Sequence, residues 1–129
     1  MKIGFTGTQK GMSDLQIEEI FNILTFFKDG EFHHGDCIGS DIQAALIAKE
    51  LGYYVVSHPP IIMSKRGYFD QNDKILKPLD YIKRNHVIVD CTDVLIAAPR
   101  TNIEEIRSGT WATIRYAEKK DKEILRLTY

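Results

Sequence analysis

Apolar residues along this chain follow two alternating periods, one of strands and one of helices. Residues 2–6 (KIGFT) form a short, largely apolar run closed by the glycine-flanked loop Gly7-Thr8-Gln9-Lys10-Gly11. Ser13 then opens a helix, with Gln16 placed to complete a capping box. Ile17, Ile20, Phe21, Leu24 and Phe27 fall at i, i+3, i+4, i+7 and i+10, an amphipathic stripe. Residues 31–34 are a second strand candidate, followed by the loop Gly35-Asp36-Cys37-Ile38-Gly39-Ser40-Asp41 and a helix carrying Ile42, Ala45, Leu46 and Ala48. Gly52 stops that helix. Residues 53–57 (YYVVS) have the β-branched and aromatic composition of a strand. Asp80 caps a helix that sets Ile82, His86 and Val89 on one face. Residues 94–98 (VLIAA) read as a buried strand closed by Pro99. A helix beginning near Ser108 carries Trp111, Ile114 and Ala117, and residues 123–127 (EILRL) are a final strand.

Strands alternating with helices predict an α/β fold. The expected form is one three-layer α-β-α Rossmann-like domain over residues 1–129, with a mostly parallel five-stranded sheet. Residues 58–79, bracketed by Pro59-Pro60 and Pro78, are long for a plain connection. They are expected to be a partly structured lid or an interface element. Their KRGYF cluster offers groups that could stack a base or clamp a phosphate.

In a parallel sheet of this kind, ligands bind beyond the C-terminal strand ends. Three polar, glycine-containing loops leave from that edge. They carry Thr6, Gly7 and Thr8; Gly35, Asp36, Gly39 and Ser40; and Pro99, Arg107, Ser108, Gly109 and Thr110. The Ser-Gly-Thr turn opens a helix, whose first amides lack intrahelical partners and whose dipole favours an anion. The same tripeptide also reads as a simple N-cap and turn. Arg84, beside Asn85, and Arg107 are guanidinium donors suited to phosphate. Trp111 reads as core.

Composition narrows the partners. The chain has 129 residues, 27% of them charged, with a formal net charge of -1. That balance gives no drive toward a nucleic acid or an anionic membrane, so neither is an expected partner. No apolar run reaches the length of a membrane span, and no signal peptide is apparent. Cys37 and Cys91 read as reduced thiols of a cytoplasmic protein. No cysteine–histidine spacing suggests a metal site. His33 and His34 are adjacent on a strand and point to opposite faces, so one metal is not expected to take both. Neither a metal nor a cofactor is expected.

The segments GFTGTQKGM, HHGDCIGSD, HPP, Arg84-Asn85 and LIAAP…EEIRSGTWATIRYA together resemble the SLOG superfamily. That Rossmann-like group contains the DNA-processing protein DprA and the LOG phosphoribohydrolases. The resemblance covers nearly the whole chain and is nearest to a small branch of short bacterial and phage proteins, which would place a phage-encoded copy in its host's cytoplasm. It implies a nucleotide or nucleotide-derived, phosphate-bearing ligand, a signal-sensing or signal-sequestering role, and a homo-oligomer. The alternative it offers is a LOG-like nucleoside 5′-monophosphate N-glycosidase. Gly109-Thr110 match the Gly-Thr of the LOG phosphate motif, but Thr113 stands where that motif has its glutamate. A replacement carboxylate would have to come from elsewhere. Glu104, Glu105 and Asp41 are conceivable, and Asp36 is the first candidate for the catalytic role.

Overall fold

The computed structural model describes all 129 residues. Six strands and four helices follow in the order β1 (Lys2–Gly7), α1 (Asp14–Phe27), β2 (Glu31–His34), α2 (Ser40–Glu50), β3 (Tyr54–Ser57), β4 (Lys74–Ile75), α3 (Tyr81–Asp90), β5 (Val94–Ala98), α4 (Gly109–Lys119) and β6 (Glu123–Arg126). The strands make one sheet in the order β4-β3-β2-β1-β5-β6, with every neighbouring pair parallel. The sheet is therefore six-stranded rather than five-stranded. The extra strand, β4, is two exposed residues long, too short to leave a period in the sequence.

The strand order fixes where a ligand would sit. From β1 the chain builds outward through β2, β3 and β4. Helix α3 then carries it back across, and β5 pairs on the other side of β1. The order thus reverses between β1 and β5, and connections on the two sides part there to leave a crevice at the strands' C-terminal ends.

Both faces of the sheet are covered. On one, Ile3, Phe5, Phe32, Val55 and Ile96 pack with Ile20 and Leu24 of α1 and Ala44, Ala45 and Ala48 of α2. On the other, Leu95 packs with Ile88 and Val89 of α3 and Ala117 of α4, while Ala97 packs with Trp111 and Ile114. The interior strand β5 is buried along its whole length, which accounts for its unbroken VLIAA run. The capping box of α1 forms as expected: Gln16 N–H donates to Ser13 Oγ, and Ser13 N–H to Gln16 Oε1.

Three helix faces differ from the sequence pattern. Phe21 in α1 and Leu46 in α2 are exposed; the sheet takes Gln16, Ile20 and Leu24 from α1 and a run of alanines from α2. In α3 the buried residues are Arg84, Ile88 and Val89, and Ile82 is 69% exposed.

The segment 58–79 is tied to the far side of the sheet. It contains one 3-10 turn, Met63–Lys65, and strand β4. Asp73 accepts from Val55 N–H and binds Lys49, Asn72 Oδ1 meets His34 Nε2 at 2.7 Å, and Phe69 is buried edge-on against the His34 ring.

Candidate functional site

At the switch point a cleft of about 700 Å³ opens beyond the ends of β1 and β5. Its wall includes Thr6, Gly7, Thr8, Gly35, Arg84, Asn85, Arg107, Ser108, Gly109 and Thr110, which brings most of the sequence candidates from all three loops to one place. Phe5, Gln9, Lys10, Cys37, Asp41, Tyr81, Ile88, Arg100, Glu104, Glu105 and Ile106 complete it. Lys10, Arg100 and Tyr81 carry no motif of their own. They reach the cleft only because the topology folds the 7–11 loop, the 99–108 loop and the start of α3 toward one edge.

Four sequence candidates lie outside the lining, each with a structural task. Ser40 N–H and Oγ–H both donate to the Thr8 carbonyl, at 3.1 and 2.6 Å, joining the first two loops. Gly39 has φ +91°, and a side chain there would meet the backbone of Gln9. The Pro99 carbonyl accepts from Gln16 Nε2 at 2.8 Å. Asp36 is fully buried; it accepts from Arg66 Nε at 2.8 Å and from Phe69 N–H at 2.9 Å. Its carboxylate holds the 58–79 segment and does not face the cleft. That also disposes of the KRGYF cluster as part of this wall, since Arg66 and Phe69 are both committed to Asp36 and its surroundings.

Arg84 is the wall's buried cation, 3% exposed. Its guanidinium donates to the carbonyls of Gly35 and His58, to Cys37 Sγ at 3.4 Å and to Asn85 Oδ1 at 2.8 Å. The arginine stacks 5.0 Å above the Tyr81 ring. No carboxylate lies within salt-bridge distance of it. A side chain on Gly35 would collide with this guanidinium, which explains the glycine.

Opposite lies the start of α4. Ser108 Oγ accepts from Trp111 N–H at 3.2 Å, so the residue is an N-cap as well as part of the cleft wall. The amides of Gly109 and Thr110 donate to no protein acceptor. A β-carbon built on Gly109 meets nothing within 4 Å, so this glycine borders open space. The position of the LOG glutamate, Thr113, is buried and donates its hydroxyl to Gly109 O.

The carboxylates of the cleft are unequal. Glu105 chelates Arg100 and Glu104 binds Arg115, both at the solvent edge. Asp41 is buried and accepts from Cys37 N–H at 3.1 Å. Burial pushes its pKa up to about 6, against the opposing pull of Arg84. Tyr81, which accepts from Gln9 Nε2 at 2.8 Å and lies 3.5 Å from Cys37 Sγ, is pushed up to about 12, again chiefly by burial.

On the reverse side of β2, His33 Nδ1 lies 2.8 Å from His58 Nε2 and 3.6 Å from Cys91 Sγ, a grouping not apparent in the sequence because the three residues come from separate elements. Cys37 and Cys91 are both free thiols.

Comparison with solved structures identifies the class of fold. The molybdenum cofactor binding protein of Rippkaea orientalis superposes with a TM-score of 0.75 at 19% identity, over 99% of this chain and 76% of that one. The Moco carrier protein of Chlamydomonas reinhardtii gives 0.68 at 22% identity, over 98% and 75%. DNA processing protein A of Helicobacter pylori, whose structure concerns single-stranded DNA binding, gives 0.72 at 17% identity, over 98% of this chain and 64% of that one. The architecture is thus the Rossmann-like one that the SLOG resemblance implies; at these identities the likeness is one of fold. No protein-family model matches the chain, and no curated protein matches its sequence. No helix is long and apolar enough to cross a membrane.

Proposed function

We propose that the protein binds a phosphate-bearing, nucleotide-derived small molecule in the cleft between β1 and β5, as a sensing or sequestering module. The observation that carries this reading is the pairing of two anion-favouring features in one cleft. They are a buried guanidinium that forms no direct salt bridge, its nearest carboxylate being the buried Asp41 that feels its charge, and a helix start whose first two amides are unpartnered. The fold neighbours that bind a molybdenum cofactor support a small-molecule ligand in general. Lys10 and Arg107 at the rim add positive charge where an anion would enter. Titration calorimetry with nucleoside mono- and diphosphates, cyclic dinucleotides and ADP-ribose derivatives tests this. Micromolar binding of one class, lost in Arg84→Gln, is the expected result; no binding across the panel overturns it.

A second reading, N-glycosidic hydrolysis, has one observation in its favour. Asp41 lines the cleft with a pKa near neutrality, as suits a general acid or base. In this reading Asp41 replaces Asp36 as the catalytic carboxylate. Release of free base from a nucleoside monophosphate, abolished by Asp41→Asn, would establish it.

A further inference from the structure

We propose that His33, His58 and Cys91 form a binding site for a thiophilic divalent cation, Zn²⁺ in the first instance, separate from the cleft. Their nitrogen and sulfur donor atoms lie within 4.8 Å of one another. They come from three elements that have no reason in sequence to meet: the middle of β2, the residue after β3 and the C-cap of α3.

The distances suit tetrahedral coordination. With Zn–N near 2.0–2.1 Å and Zn–S near 2.3 Å, adjacent nitrogens stand about 3.3 Å apart, and nitrogen and sulfur about 3.6 Å. His33 Nδ1 and Cys91 Sγ are already 3.6 Å apart. His33 Nδ1 and His58 Nε2, now hydrogen-bonded at 2.8 Å, need only separate slightly. The other nitrogen of His33 lies 2.8 Å from Glu31 Oε1. A carboxylate on the far nitrogen of a ligating histidine fixes its tautomer and raises its basicity, as in many metal sites.

Proton positions are consistent with this. With His33 Nε2–H donated to Glu31, Nδ1 carries the lone pair. His58 Nε2–H then makes the present contact, and on binding that proton moves to the other ring nitrogen. Burial holds both imidazoles below their ordinary pKa, so both are neutral near pH 7. The Cys91 thiol, raised by burial, gives its proton to solvent, one per ion bound. The three residues also border a cavity of about 730 Å³, which leaves the fourth position open to water. Lys2 and Lys74 in its wall oppose a bare cation and favour an anionic fourth ligand such as hydroxide.

The test uses the full chain, stripped with chelator and titrated with Co²⁺. Expected are one Co²⁺ per chain, a near-ultraviolet thiolate charge-transfer band with tetrahedral ligand-field bands, and displacement of both by Zn²⁺. Cys91→Ser should abolish the charge-transfer band, and Glu31→Gln should weaken binding about 10- to 100-fold. Cys37→Ala, which removes the other thiol, should keep the band. Cys91 and Glu31 are only partly buried, so these variants decide the matter even if His58→Gln fails to fold. Absence of the band, or its persistence in Cys91→Ser, overturns the site.

Discussion

Glycines of the three cleft loops divide into two kinds, and the division is testable. A side chain on Gly7 would strike Ser40 and the Phe5 ring, and one on Gly35 would strike Arg84 and Asp41. These glycines let loops pack against each other. Gly109 alone faces open space, so a side chain there costs the free protein little. Gly109→Val should leave the thermal midpoint nearly unchanged and weaken phosphate-ligand binding about tenfold or more, the loss of one charge-assisted hydrogen bond. Calorimetry beside a melting curve checks both halves; normal binding would make the turn structural only. Arg84 is the opposite case, serving fold and cleft together. Arg84→Met strands the Gly35 and His58 carbonyls, at about 1–3 kcal/mol for each buried group left unpaired. Chemical denaturation should show that loss alongside the loss of ligand binding.

Among the elements, α4 and α3 show how far the sequence could be read. For α4, local chemistry was enough. Ser108 caps the first turn and Trp111, Ile114 and Ala117 face the sheet, all visible in the spacing of residues. Ser108→Ala should cost about 1 kcal/mol, measured by urea denaturation, because it removes the acceptor of Trp111 N–H. For α3 the apolar pattern misleads. Turning Ile82 inward, as hydropathy suggests, would expel Arg84 from the one place where the Gly35 and His58 carbonyls await it. Polar demand at the strand ends outweighs the burial of one isoleucine, worth about 1.5–3 kcal/mol. Asp36 lies away from the cleft for a related reason. A carboxylate after a strand reads the same whether it faces a ligand or, as here, anchors an arginine 30 residues later. Likewise no spacing rule joins His33, His58 and Cys91, whose meeting depends on which strands neighbour each other and where α3 ends.

Taken whole, the molecule carries features that bear on assembly and on pH. Ile61, Ile62, Met63, Tyr68, Ile75 and Ile82 are exposed and fall in or just after the 58–79 segment. We propose that this region meets a second copy of the chain; light scattering should report a dimer, and Ile62→Lys with Ile82→Lys a monomer. The pH dependence follows from buried groups that oppose one another. His34 and His58 are held down to about 4 and about 3 by burial, from 6.5 when unfolded. Below about pH 6.5 the unfolded chain takes up protons that the folded histidines refuse, so their contribution is lost as pH falls toward 4. Asp41 acts in the reverse sense. Its folded pKa of about 6 lies above its ordinary 3.8, so the folded state gains relative stability as pH falls through that window. Two histidines against one aspartate give a net loss on acidification. In the metal-free chain the melting temperature should therefore fall between pH 6.5 and 4. Asp41→Asn removes the only opposing group of the three, so the variant's melting temperature should fall more steeply over the same range. A slope equal to the parent's would mean that Asp41 is already ionised when buried, with Arg84 outweighing desolvation.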